Sequence, residues 1–271
     1  MQVTCRLSTR CVLSGALVLG LTLPGICLAA GCPGAGDGVV FDGMSAYAVV
    51  ENGEAFDLGT FTLAVCVKVK DHRSPQIFLG RSERGRLFTL YLYNDKVRML
   101  VEYAPGKYTH ADAPLPEPDV WTHYAGTYDG KTIAVYRNGV LAQTIEAPGR
   151  ITASDAPLYI GALAPWEDLF CGRLDRACVW SRVLSPEEVA RVAEGNLVRA
   201  DDLVARFTSA GIDGDMWANA ASADLGALFS PSGTAERPVR KDDGYRGIWY
   251  YNQRLDNEYV YKYSGGLGTY C

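Results

Sequence analysis

Three histidines, His72, His110 and His123, are the side chains of this sequence best suited to move a proton near neutral pH. A histidine becomes a catalytic base only in the company of a nucleophile or an orienting carboxylate. The motifs that provide such company are absent. The sequence has no Gly-x-Ser-x-Gly elbow, no phosphate-binding Walker loop and no His-Glu-x-x-His zinc pair. His72 and His110 fall in stretches with loop character, and His123 falls in a strand-like run. The most conspicuous acidic pair, Glu187-Glu188, follows Ser185-Pro186 and reads as a helix cap. Eight cysteines are present, with no Cys-x-x-Cys spacing to suggest zinc.

The elements that must position these residues are mostly strands. Trp121–Gly139 contains Asp129-Gly130 and Asn138-Gly139, two turn signals flanking a strand-length run, and Val140–Glu146 reads as a third strand. In Phe61–Val69 the odd positions Phe61, Leu63, Val65, Val67 and Val69 are all apolar, the period-2 pattern of a half-buried strand. Further strands are expected at Val39–Phe41, Tyr47–Val50, Gln76–Leu79, Leu87–Tyr93, Val97–Tyr103, Pro157–Gly161 and Cys171–Trp180. One helix is expected after the Ser185 cap, with Val189, Val192 and Ala193 as its apolar stripe and Gly195 as its left-handed stop. Many short strands and one late helix predict an all-β antiparallel sandwich or jelly roll.

Residues 1–30 read as a secretory signal: Arg6 and Arg10 precede a mostly apolar stretch that ends in small residues. Cys5, Cys11 and Cys27 leave with it. Cleavage near Ala29 or Ala30 gives a secreted protein. Alternatively, Ala-Gly before Cys32 resembles a bacterial lipobox, and lipidation at Cys32 would tether the chain to a periplasmic or cell-surface membrane. No other membrane contact is expected. The formal net charge of -5 argues against a sequence-independent grip on nucleic acid. Cys66, Cys171, Cys178 and Cys271 would mature where disulfides persist. Cys66 and Cys178 fall in strands, on the faces opposite the apolar alternation, which favours a Cys66–Cys178 bond with Cys171 as competing partner.

Phe41-Asp42-Gly43, Phe61-Thr62-Leu63, Trp121–Gly130, Tyr136–Gly139, Tyr159-Ile160-Gly161 and Phe170–Glu188 together resemble the laminin-G-like, concanavalin-A-like jelly roll. The last stretch is also similar to the end of the pentraxins. The resemblance covers about residues 36–196 and assigns a jelly roll to 36–200. Cys66 stands where the family usually places Trp, and the usual first strand is missing. Asp202–Phe207 is similar to that strand, displaced behind the helix. The resemblance implies that His123 is scaffold, hydrogen-bonded in or beside the core. It also implies that loops or a sheet face bind a polysaccharide or glycoconjugate. Aromatic platforms carry such binding, which makes Trp166, Tyr103 and Tyr108 the candidates. A structural calcium near Asp175 and Asp42 is a further implication. The acidic strand pattern of jelly-roll hydrolases is not found.

Residues 201–244 read as a linker, with 202–207 as an added sandwich strand. From Tyr245 to Cys271 the chain is rich in aromatic residues and resembles the opening of a bacterial-neuraminidase-repeat β-propeller of the ulvan-lyase type. A blade needs about four strands, so an incomplete propeller is expected. Three functions stay open. The chain is a secreted carbohydrate-binding module of a polysaccharide-degrading protein, a polysaccharide lyase whose active site lies beyond residue 271, or a cell-surface protein-interaction domain.

Overall fold

A computed structural model describes residues 32–82, 86–165, 167–230, 251–255 and 258–262. The predicted signal segment, the Trp166 side chain and most of the predicted propeller start lie outside the described residues. Among the described residues, no helix is long and apolar enough to cross a membrane.

The first strands are β1 (Val39–Asp42), β2 (Ala48–Val50), β3 (Phe61–Val69), β4 (Gln76–Ser82), β5 (Arg86–Tyr93), β6 (Lys96–Ala104) and β7 (Lys107–Pro114). They are followed by β8 (Trp121–Tyr128), β9 (Thr132–Arg137), β10 (Val140–Glu146), β11 (Leu158–Ile160) and β12 (Cys171–Trp180). Helix α1 (Pro186–Ala193) comes next, and then β13 (Leu203–Asp213), β14 (Met216–Asn219) and β15 (Ala227–Phe229). All pairings are antiparallel. The strand path runs β10-β9-β8-β3-β12-β13-β14-β15-β2-β11-β4-β5-β6-β7, with β1 beside β12.

This path doubles back on itself. Its two halves face each other across one core containing Phe61, Tyr124, Tyr128, Phe78, Phe88 and Phe170. Alternation accounts for that: the odd residues of β3 point inward and are fully buried. At one end β7 touches β9 and β10, and the Asp112 amide donates to Gln143 Oε1 (2.6 Å). At the other end β14 and β15 bridge the halves. Trp217 stacks on Phe229 at 5.5 Å and tilts against Phe207, also at 5.5 Å. The predicted linker thus carries strands of the sandwich, and β13 pairs with β12 through Ala177 and Phe207. Beyond them, β16 (Tyr251–Leu255) and β17 (Glu258–Lys262) form a separate two-stranded ladder.

The turns follow their residue types. Asn138 and Gly139 both take positive φ (50° and 78°), the mirror-image turn that suits strand twist. The Asp129 turn is wider than a two-residue link: the Asp129 carboxylate caps the amides of Lys131 and Thr132 before β9 begins. Helix α1 has the expected capping box between Ser185 and Glu188, and Gly195 stops it at φ 90°. Its apolar stripe covers a second cluster on the outside of the sheet. There Ala64, Ala125 and Ala134 are small enough for close approach, beside Trp180 and Val198. Arg182 and Arg199 both donate to Glu188. The Arg182 hydrogen bond, acting against burial, holds the Glu188 carboxyl down at about 2.

The expected Cys66–Cys178 bond is not formed. Cys66 is bonded to Cys32, and Cys178 is a free, buried thiol. Cys171, the competing partner, is itself disulfide-bonded. The reason is a bulge in β12. Asp175 lies opposite Cys66, but after the register shift Cys178 lies opposite Ala64. Cys178 therefore sits diagonal to Cys66, while Cys32 reaches Cys66 from the N-terminal lead-in. A sulfur held in this bond cannot also carry a lipid thioether, so the two fates of Cys32 exclude one another. Burial pushes the Cys178 thiol up to about 12, against the pull of Arg206 and Arg176, which keeps it from forming the reactive thiolate. Non-reducing peptide mapping of the oxidised protein is expected to link Cys32 to Cys66. Cys178 should be alkylated only after denaturation, and native-state alkylation of Cys178 would contradict this arrangement.

Candidate functional site

The meander β5-β6-β7 presents two opposite faces. Leu90, Leu92, Val97, Met99, Val101, Ala111 and Ala113 face the core. Residues of the other parity face outward: Tyr91 and Tyr93 on β5, Arg98 and Leu100 on β6, and Tyr108, His110 and Asp112 on β7. Register aligns them, pairing Tyr91 with Arg98, Arg98 with Asp112, Leu100 with His110 and Glu102 with Tyr108. Tyr91, Leu100 and Ile77 form a small apolar floor, closed on one side by Leu163.

On this floor the polar groups are fixed. Arg98 Nε donates to Asp112 Oδ1 at 2.9 Å, and its guanidinium lies 4.8 Å from the Tyr93 ring centroid. The Tyr91 and Tyr93 rings are 5.9 Å apart. Partial burial disfavours the Arg98 charge, but the Asp112 hydrogen bond and charge outweigh it and raise its pKa. His110 Nε2 stands 4.0 Å from Asp112 Oδ2, with 39% of its side chain exposed. Tyr108 is 65% exposed at the rim. The patch therefore combines an aromatic platform, a carboxylate and planar donors held by an ion pair. Such groups bind a polyhydroxylated surface by stacking and by paired hydrogen bonds.

Of the predicted aromatics, Tyr108 belongs to this patch and Tyr103 does not. Tyr103 has the inward parity of β6 and packs against the core. The structure therefore separates Tyr103 and Tyr108 onto opposite faces of one hairpin. Trp166, between Pro165 and Glu167 in sequence, lies outside the described residues. Tyr93, Arg98, His110 and Asp112 were missed, His110 because it was placed in a loop rather than on β7. Matched parity along three consecutive strands is the signal that could have found them.

Asp42 and Asp175 do not share a site. The Asp42 carboxylate accepts from the amides of Met44, Ser45 and Ala46 and from the Ser45 hydroxyl, all within 2.9 Å. These bonds outweigh burial and lower its pKa. Asp175 accepts from the Ser209 amide (2.7 Å) and the Gly36 amide (3.3 Å). Along β12, Asp42 pairs with Cys171, about 13 Å from Asp175 at ~3.3 Å per residue. Among the described residues, no three His, Cys, Asp or Glu side chains cluster as metal ligands. A calcium ion needs six or more oxygens, and these two carboxylates, spent on amide donors, do not fit one.

The expected role of His123 is corrected in one respect. It is buried, 1% exposed, but neither ring nitrogen has a hydrogen-bond partner. His72 does have one, the Pro116 carbonyl at 2.9 Å from Nε2.

No curated protein shows significant sequence similarity to the chain. Among solved structures, a candidate carbohydrate-binding protein from Bacteroides ovatus superposes with a TM-score of 0.54 at 17% identity, over 71% of this chain and 58% of that one. The chain thus spans little more than half of that protein. A heptameric SAP-like pentraxin from Limulus polyphemus matches with a TM-score of 0.47 at 20% identity, over 59% of this chain and 83% of its own. The CBM40 of the Ruminococcus gnavus IT-sialidase, bound to α2,3 sialyllactose, gives 0.48 at 20% identity, over 58% and 96%. The laminin-G-type model of the concanavalin A-like lectin/glucanases matches residues 42–190, more than half of the sequence and nearly the whole sandwich up to α1. With that match and the doubled-back antiparallel sheet, the chain belongs to the concanavalin A-like lectin/glucanases superfamily.

Proposed function

We propose that this chain is a carbohydrate-binding module whose sugar site is the outward face of β5-β6-β7. The observation that carries the reading is the Tyr93–Arg98–Asp112 array beside exposed Tyr108. Half-buried Tyr93, the pre-oriented Arg98–Asp112 pair and exposed Tyr108 converge there over a buried floor of Tyr91, Leu100 and Ile77. Holding Arg98 and Asp112 in place before binding spares the ligand their ordering cost. The ligand class is a polysaccharide or glycoconjugate, and membership of a lectin/glucanase superfamily supports it. The module would keep whatever it is joined to close to a polymeric substrate.

Titration calorimetry of the full chain against a panel of neutral and acidic polysaccharides tests this. Tyr108→Ala is expected to weaken the best ligand roughly tenfold, about 1.4 kcal/mol. Asp112→Ala removes an acceptor and frees Arg98, and is expected to cost ~10–100-fold. Tyr108 is exposed and Asp112 half-buried, so circular dichroism of each variant checks that the fold persists before its binding is read. Absence of binding across the panel, or binding indifferent to both substitutions, would sink the reading.

A further inference from the structure

A second feature lies on the opposite half of the sandwich, under the chain that follows α1. The outward sides of β3, β8, β12 and β13 and the turn 195–197 line a cavity of about 20 Å³ that is partly open to solvent, with Cys66, His123, Arg176, Cys178, Trp180 and Arg206 in its wall. That is room for a single water-sized occupant. It is far from the Arg98–Asp112 array and owes nothing to the sugar-binding reading.

Three observations meet there. Both ring nitrogens of His123, and Nε and Nη2 of Arg176, are buried without hydrogen-bond partners. A neutral imidazole has one donor and one acceptor and the guanidinium nitrogens are donors; buried polar groups are rarely left so, and orphans of this kind commonly mark an ion or water. Second, the charges are one-sided. No carboxylate lines the cavity, and no ion pair among the described residues holds Arg176 or Arg206. The nearest acid, Asp175, is spent on the Gly36 and Ser209 amides. Third, Arg176 sits in the β12 bulge with φ 50°, a left-handed conformation that non-glycine residues seldom take. Bulges re-aim side chains, and such strain persists where the surroundings reward it.

A water would satisfy some of these donors but leave the mutually repelling Arg176 and Arg206 charges answered only by Asp175. A monoanion satisfies donors and charge together, and at half-buried guanidiniums the charge counts for more than in open water. We infer that the His123–Arg176–Arg206 cavity is a binding site for one small monoanion of halide size. Room for one water-sized occupant favours a halide over a larger carboxylate, sulfate or sugar acid.

The test uses the full chain. Thermal unfolding is followed in sodium chloride or bromide and in sodium gluconate at matched ionic strength, and bromide-soaked crystals are examined by anomalous scattering. A halide-specific rise in Tm is expected, roughly 5 °C once halide is ~100 times its Kd. It should vanish in Arg206→Met, a partly exposed position where the fold should persist. An anomalous peak is expected beside His123 and Arg176. Equal Tm in halide and gluconate overturns the proposal, as does a cavity holding only water. A peak without halide dependence means an adventitious ion only and also overturns it. Should Arg206→Met fail to fold, the wild-type Tm series and the anomalous map decide.

Discussion

Arg81→Met is expected to destabilise the protein by roughly 3–5 kcal/mol. Arg81 is fully buried on β4. Its guanidinium donates through Nε to the Ala156 carbonyl (2.9 Å), through Nη1 to Phe56 (2.6 Å) and through Nη2 to Ser154 (2.7 Å). These carbonyls belong to the short 3-10 helix Gly53–Phe56 and to the 154–156 loop, neither of which has a strand ladder, so one side chain ties both to the sheet. The guanidinium also lies over the Phe88 ring at 5.8 Å. Methionine fills much of the same volume but removes all three hydrogen bonds, and a carbonyl left without a donor in the interior costs about 1–3 kcal/mol. Arg81→Lys should recover little, because an ammonium cannot span three acceptors in a planar fork. Denaturant unfolding at neutral pH measures the loss. A change below about 1 kcal/mol would mean that water can replace the guanidinium.

The second large effect depends on pH. Burial, and next the Arg176 charge, lower the His123 pKa from 6.5 to about 3. The folded state keeps His123 neutral over a range in which the unfolded chain protonates it. The stability associated with neutral His123 is therefore fully present above pH 6.5 and is lost as pH falls toward 3. The whole shift corresponds to roughly 5 kcal/mol, of which about 2 kcal/mol disappears between pH 7 and pH 5. That upper window matters because Asp42 and Glu188, whose pKa values are also lowered, titrate below it. In halide-free buffer, His123→Gln should lose about 2 kcal/mol less than wild type between pH 7 and pH 5. Parallel pH profiles for the two proteins would show that His123 is not held neutral by the fold.

The long strands and the helix were legible because each carries a local rule strong enough to stand alone. Phe61–Val69 alternates over nine residues, and Ser185-Pro186-Glu187-Glu188 states a cap. The closing strands were not legible in this way. Met216–Asn219 and Ala227–Phe229 are four and three residues long, too short for alternation to separate them from a linker rich in Ala, Ser and Gly. Their partners lie far away in sequence. The disulfide failed for a related reason. Face and strand adjacency were read correctly for Cys66 and Cys178, but the bulge that moves Cys178 opposite Ala64 leaves no mark in the residue types. Of the candidate site, only Tyr108 was identified from sequence. Turn-flanking aromatics attract attention, whereas Arg98 and Asp112 gain meaning only once the register sets them side by side.

The bridge made by β14 and β15 bears on how the chain reaches this state. Leu228 pairs with Val49, and Phe229 with Ala48, so almost the first strand of the sandwich waits for almost the last. During synthesis β2 has one flank open until residue 229 has emerged, and β12 lacks β13. Open strand flanks invite pairing with other chains. Contacts this distant in sequence also place the molecule among slow folders. Chains cut after α1 would keep most of the core residues yet leave those flanks permanently bare, and their characteristic fate should be self-association rather than simple unfolding.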